Sequence, residues 1–430
     1  MFDTFKNAWK IEDLRKRILF TLMVLVVFRL GCAIPVPFVN TALLQTVASS
    51  SGNLIGYINM LSGGAFSRAM LFALGVSPYI NSSIIIQLLT VVIPALERLS
   101  KEGEDGRKKL QRITRYVGAG IALALSIAYY FLLRNWGVLV YTEGASAVFS
   151  AVVMIFAFTA GSMFVQWMGE QIDVKGIGNG ISILIFAGII SSWSSLFTSV
   201  RYYFGLAMDG ESKYFIFMPL ILVLALVVLV LIVILNAAER RIPVQYAKRV
   251  VGRRMMGGQS TYLPIKVNTA GVVPIIFASA LLYFPAQIAV FFPNVDWVLA
   301  VANALASGWI NWILNVALIV FFAYFYTSMI FNPEDTAENL KRQGGFIPGV
   351  RPGRATAAYI KNALNKITLP SAVFLAVIAI VPSIIFSFTG NQLIQAFGGT
   401  SVLIMVGVVL DTVDKVESQL KMYNYDGFFK

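Results

Sequence analysis

The stretch Asn59–Pro94 reads NMLSGGAFSRAMLFALGVSPYINSSIIIQLLTVVIP, and its length decides the fold. It belongs to an apolar run over 53–95, whereas one membrane crossing takes about 20 apolar residues. The run is broken at Gly75–Pro78 (GVSP), and segment 95–115 directly after it carries seven Lys and Arg. If both halves crossed, those charges would land on the side opposite the other basic segments. The reading is therefore a half-element over 53–74 that enters from outside and does not exit, followed by a crossing over 75–95. Non-helical backbone at that depth is tolerated only where it lines a cavity. One long tilted helix with a proline kink is the plainer alternative.

Working outward, the other apolar runs predict crossings at 18–37, 113–133, 145–168, 177–198, 214–237, 267–292, 308–331, 368–389 and 393–413. The 430 residues are 58% hydrophobic and only 13% charged, a balance that lipid solvates and water does not. Net charge is +13, and its placement fixes orientation. The tail 1–17 holds five Lys and Arg, 95–115 seven, 169–176 one, 238–266 seven, 332–367 six and 414–430 three, together 29 of 34. Arg134, Arg201 and Lys213 lie on the other side, and Arg29 and Arg68 fall in apolar stretches. The basic side is the cytosolic one, with both termini there. Residues 1–17 lack the cleavage site of a signal peptide and read as a retained amphipathic cytosolic segment, and 414–430 as a cytosolic tail.

The expected fold is an all-α polytopic membrane protein with ten transmembrane helices in two inverted halves of five, 18–198 and 199–413. Five crossings per half give the halves opposite topology. Inverted repeats place a pathway at their interface near mid-membrane.

Composition also removes chemistries. There is no histidine, and Cys32 is the one cysteine, so intramolecular disulfides, His-ligated metal sites and Ser/His or Cys/His nucleophiles are out of reach. No P-loop is present. Glu170, Glu239 and Asp411 lie at span ends and no carboxylate sits mid-span, which weighs against an ion-coupled transporter. The chain reads as neither an enzyme nor a cofactor protein, with a secondary transporter of a small solute as the alternative to a channel.

Four segments carry the functional reading. Gly63, Gly64, Ala65 and Ser67 make a short, smooth element beside the proline-broken helix, weakly anchored and free to move, although small residues also serve close helix packing. GIGNGISILIF (176–186) caps an apolar helix with three glycines and an asparagine; it has no lysine and no preceding strand, so it is no phosphate loop. The loops 238–266 and 332–367 are long, basic and rich in Gly and Pro. Positive charge alone suits topology, but defined turns in a long basic loop suit an acidic or RNA-bearing partner.

These segments resemble the SecY family, the central channel subunits of the bacterial protein translocase. FRLGCAIPVP, SGGAFSRA, FALGVSPYI, SIIIQLLT, GIGNGISI, RRIPVQYAKR, QSTYLPIKVNTAGVVP, NPEDTAENLKRQGGFIPGVRPG and FGGTSVLIMVGV occur in family order and cover nearly the whole chain. The resemblance implies a passive protein-conducting channel in the bacterial cytoplasmic membrane that translocates signal-bearing preproteins and releases membrane segments sideways into lipid. It implies a pore sealed by an aliphatic ring of Val76, Ile80, Ile181, Ile185, Ile276 and Ile404, where a tight apolar constriction dewets and blocks ions. Val76 stands where the family pattern has isoleucine, and Asn81 where it has a small residue. A plug half-helix is implied over about 57–68, including Ser62, Gly63, Gly64, Ala65, Phe66, Ser67 and Arg68. Gln87 and Asn268 match a polar lateral gate, where facing polar groups bond at roughly 0.6 kcal/mol per pair. Arg351, with Arg240, Arg241, Lys248 and Arg249, matches the docking surface for the SecA motor and the ribosome, ribosomal RNA included. SecE-like and SecG-like subunits are the implied small partners. Arg29 is expected to snorkel or to pair within the bundle.

Overall fold

The computed structural model describes residues 8–50, 62–208, 212–246, 249–251, 254–256, 260–289, 295–306, 308–389 and 399–426. Helix α1 (Glu12–Gly31) has Glu12 and Asp13 in its first turn and Arg29 in its last, both matched to the helix dipole. It stops at Gly31 because Pro35 and Pro37 follow and cannot continue the ladder. The crossing expected at 18–37 is thus shifted toward the N-terminus, and 34–36 turn instead into a strand-like contact. Val36 N donates to Ala69 O at 3.1 Å, and Leu71 N to Ile34 O at 2.9 Å.

Helix α2 (Thr41–Ser50) was not expected from the sequence. Residues 62–76 follow as turns and one 3-10 turn, Phe66–Arg68. Helix α3 (Ser77–Val92) begins at the GVSP break with Pro78 in its first turn, where a missing N–H costs nothing. It bends by 101° at Pro94 into the short α4 (Pro94–Lys101). Helices α5 (Glu104–Asn135), α6 (Gly144–Lys175), α7 (Gly180–Met208) and α8 (Ser212–Ala237) follow, then α9 (Val273–Ala289), α10 (Asp296–Ala306) and α11 (Gly308–Ile330). The chain ends in α12 (Pro333–Arg342), α13 (Arg354–Thr389) and α14 (Gly399–Asp426).

Among the described residues four helices are long and apolar enough to cross a membrane: α5, α6, the run Gly308–Arg342, and α13 over Arg354–Ile385; the bent pair α3–α4 makes a fifth. Their outward faces are apolar. On α6, Val148 is 65% exposed, Phe149 63% and Phe156 67%. Rows of bare Val and Phe on helices of 32 residues belong against acyl chains. The fold is that of an all-α, multi-spanning membrane protein.

The chain forms two compact units. The first takes Met1–Leu206, Ser279–Trp312 and Val408–Lys430, and the second Ala207–Ala278 and Ile313–Gly407. In the first, Val36, Phe66, Ala69, Tyr129, Leu133, Met154 and Phe158 form one buried core around the start of the GVSP segment. On the membrane-span ends of α5 and α6, Arg115 holds Glu170 with two nitrogens, Nε at 3.2 Å from Oε1 and Nη2 on Oε2, while Gln166 adds a bond to Oε1 at 3.2 Å. Arg115→Leu is expected to cost about 2 kcal/mol, discounted because the guanidinium is 48% exposed while Glu170 keeps only 9%. Glu170→Gln should cost less, because it removes the buried charge and leaves Arg115 to water. Apparent melting temperatures in detergent check the order; equal shifts would mean that the Glu170 charge left unpaired by Arg115→Leu carries no cost of its own.

The second unit holds a feature the sequence reading missed. Strand β1 (Glu239–Tyr246) pairs antiparallel with β4 (Ser260–Lys266) on one side and with β5 (Gly345–Phe346) on the other; β2 (Arg249–Val251) and β3 (Arg254–Met256) form a separate two-stranded ladder. Ile242 and Val244 alternate inward along β1 and pack with Ile265, Leu340, Ile347, Ile360 and Leu364. The two basic loops are therefore one small domain with its own core.

Candidate functional site

Segment 62–76 is seated in the first unit by bonds to its backbone. Arg29 Nη1 donates to Gly63 O at 3.2 Å, Ser191 Oγ donates to the same oxygen at 3.2 Å, and Cys32 Sγ reaches Ser62 O at 3.6 Å. The Tyr129 hydroxyl donates to Phe66 O, and the two rings lie 4.4 Å apart. Ser62 Oγ accepts from Phe66 N at 3.1 Å and closes the turn. Gly63 has φ +64, and a β-carbon there would come 3.2 Å from Gly188 Cα, so the close approach needs glycine. Ser62, Gly63, Ala65 and Phe66 are buried, Gly64 and Ser67 half-buried, and Arg68 exposed. The expectation of weak anchoring is overturned: most of the segment is buried, Phe66 packs in the core, and the small side chains bring carbonyls within reach of four donors. Residues 57–61 of the expected plug lie outside the described residues, and its described part is turns rather than α-helix.

The ring candidates of the first unit sit on two helix starts. Val76 is the N-cap of α3 and Ile80 lies one turn on; both are buried, at 2% and 4%. Ile181 and Ile185 are i and i+4 on α7, on one face; Ile185 is buried and Ile181 half-buried. Their placement follows from GIGNG. Asn179 Oδ1 accepts from Ser182 N at 3.1 Å and Asp173 Oδ1 from Gly180 N at 2.8 Å, which caps α7. A β-carbon at Gly180 would lie 2.7 Å from the Gly169 carbonyl carbon, so α6 and α7 meet backbone to backbone. The Thr21 hydroxyl of α1 accepts from Ile177 N at 3.1 Å. In the second unit Ile276 on α9 and Ile404 on α14 are buried, at 6% and 0%.

The gate candidates each have a partner inside their own unit. Gln87 Nε2 donates to Ser83 Oγ at 3.1 Å, and Asn268 Nδ2 to Asn236 Oδ1 at 2.8 Å. Asn81 is buried in α3.

The docking candidates lie on the sheet domain. Arg240 and Arg241 are exposed on β1, with the Arg241 guanidinium 4.7 Å from the Tyr262 ring centroid, a geometry that holds the charge outward. Arg249 opens β2, and Lys248 lies outside the described residues. Arg351 is exposed in the turn between β5 and α13, and its carbonyl accepts from Thr356 Oγ1 at 2.9 Å. An open cavity of about 1430 Å³ lies beside this domain, with Lys341, Arg354 and Lys361 among its lining residues. Pairing of Gln245 with Phe346 ties the Arg240 strand to the Arg351 turn. In the sequence the two segments look like separate loops, and the signal of the strand is the alternation of Ile242 and Val244.

A model of the SecY family matches residues 70–413. The chain belongs to the SecY family. The protein translocase subunit SecY of Streptomyces coelicolor is 46% identical to it, and that of Mycobacterium bovis 42%, each alignment covering the whole of both chains. Among solved structures it is similar to a protein-conducting channel at TM-score 0.66 and 18% identity, over 94% of this chain and 92% of that one. It is also similar to Sec61 of the canine ribosome-channel complex from the endoplasmic reticulum, at TM-score 0.62 and 17% identity over the same shares. At those identities the structures establish the fold alone. The small-solute transporter alternative finds no support among these SecY relatives.

Proposed function

We infer that the protein is the channel subunit of a protein translocase, which conducts secretory polypeptides across a membrane and releases apolar segments into lipid. The observation that carries this is full-length identity of 42–46% to protein translocase subunits SecY, and the seated segment beside the start of α3 supports it. The chain supplies a path and no chemistry; energy comes from a SecA motor or a translating ribosome docked on the sheet domain at Arg240, Arg241 and Arg351. SecE-like and SecG-like subunits complete the assembly in the bacterial cytoplasmic membrane, with both termini cytosolic. Segment 62–68 is the plug, and Val76, Ile80, Ile181, Ile185, Ile276 and Ile404 form the ring. Aliphatic side chains suit a constriction that excludes ions yet touches any passing residue without preference. The lateral gate carries Gln87 and Asn268, whose local hydrogen bonds keep polar groups satisfied in an apolar seam.

A crosslink tests the ring. In a Cys32→Ser background, one cysteine is placed by Ile276→Cys, and a precursor carrying one cysteine is arrested partway through vesicles with the partner subunits and SecA. The expected result is a disulfide that requires ATP and a signal sequence. No disulfide at Ile276, Ile80 or Ile404, with the precursor demonstrably arrested, would place the path elsewhere.

A further inference from the structure

We propose that Arg29 is a specificity-determining residue: by holding the Gly63 carbonyl it sets how readily segment 62–68 leaves its seat, and so which precursors are admitted. The inference rests on reading 62–68 as the plug. Arg29 is the one charged residue of the otherwise apolar stretch 18–31, and among the described residues no ion pair includes it. Its guanidinium donates at 3.2 Å to Gly63 O, which Ser191 also reaches at 3.2 Å. The counter-group of this cation is thus the segment's own backbone, and displacement takes that partner away.

The four wall donors, Arg29, Cys32, Tyr129 and Ser191, converge from α1, the turn after it, α5 and α7 on carbonyls of 62–66. Every acceptor is main chain, so the four bonds themselves do not involve the segment's side chains, although the close approach at Gly63 still requires glycine. Arg29 is the only charged one of these four donors. A charge-assisted bond is about twice as strong as a neutral one; with Arg29 itself exposed, its loss shifts the seated equilibrium on the order of tenfold.

The test uses the full chain with its partner subunits in vesicles, one precursor with an intact signal sequence and one whose apolar signal core carries an added charge. Arg29→Leu is expected to raise the ratio of defective to intact precursor translocated about tenfold and to raise the ion leak of resting vesicles. Arg29→Lys should return the ratio to within about threefold of the parent, which a purely structural role would not produce. If Arg29→Leu fails to accumulate, Ser191→Ala removes the second donor to the same carbonyl and should move the ratio in the same direction by roughly threefold. An unchanged ratio in the variants that accumulate overturns the proposal. Deletion of 62–67 separates the two readings: a leak on deletion with no effect at Arg29 sinks the role of Arg29 alone, while no leak on deletion sinks the plug.

Discussion

The Gly180→Ala variant is expected to accumulate poorly and, where it accumulates, to melt well below the parent and leak ions. The β-carbon it adds would sit 2.7 Å from the carbonyl carbon of Gly169 and 3.0 Å from its α-carbon, with the carbonyl oxygen nearer still. Those neighbours are backbone of α6, not the end of a flexible side chain, so α7 itself has to move. Overpacking of this kind costs about 3 kcal/mol. The displaced residues are specific: Ile181 follows Gly180 directly and Ile185 lies one turn on. The Asp173 carboxylate and the Asn179 amide oxygen that cap α7 would be pulled from their donors as well. A thermal scan in detergent and the ion permeability of resting proteoliposomes check the two parts. A variant that melts with the parent would show that α6 and α7 can part without cost, and the close approach at Gly169 would then position nothing.

That glycine illustrates what the sequence could and could not disclose. GIGNG reads as a helix cap because Asn and Gly have local conformational preferences, and the cap is there. The contact of Gly180 with Gly169 is a meeting of two backbones eleven positions apart, which no local preference encodes. The same division runs through the fold. GVSP was legible because Pro78 and Gly75 act on their own backbone. The end of α1 at Gly31 was misplaced because hydropathy continues smoothly through Cys32–Pro37, and prolines, not polarity, stop the helix. The sheet domain looks like loops in the sequence because its inward positions, Ile242, Val244 and Ile265, are interleaved with Arg, Gln and Lys and pair over long sequence separations. The hold on segment 62–68 is invisible in the sequence because its acceptors are carbonyls, which every residue has and no letter records. Small residues suggest weak anchoring, and the burial of Ser62, Ala65 and Phe66, with Phe66 in the core, shows the opposite.

Charge reversal at Arg351 should separate docking from folding more cleanly than any other substitution. Arg351 is exposed in a turn, and among the described residues no ion pair includes it. Arg351→Glu should therefore leave the melting temperature nearly unchanged, within about 0.5 kcal/mol of stability. Its neighbours are basic, with Arg354 three residues on and Lys341 and Arg342 at the end of α12, so the substitution places a carboxylate inside a positive field. An acidic partner that gains a charge-paired contact at Arg351 then meets repulsion instead, and losing such a pair costs about 2–5 kcal/mol of docking. Binding of the SecA motor to vesicles and motor-driven translocation should both fall at least about thirtyfold, which is the lower end of that range. The resting ion leak should stay at the parent's value, because the seat of segment 62–68 lies in a different compact unit. Arg351→Lys distinguishes charge from shape: a point charge restores steering but not a bidentate fork, so partial recovery identifies a carboxylate or phosphate held by two nitrogens. Raising ionic strength should weaken the parent's binding more than the variant's. If Arg351→Glu binds the motor as the parent does, while melting with it, the sheet domain meets its partner by another face, and the exposed arginines of β1 become the first place to look.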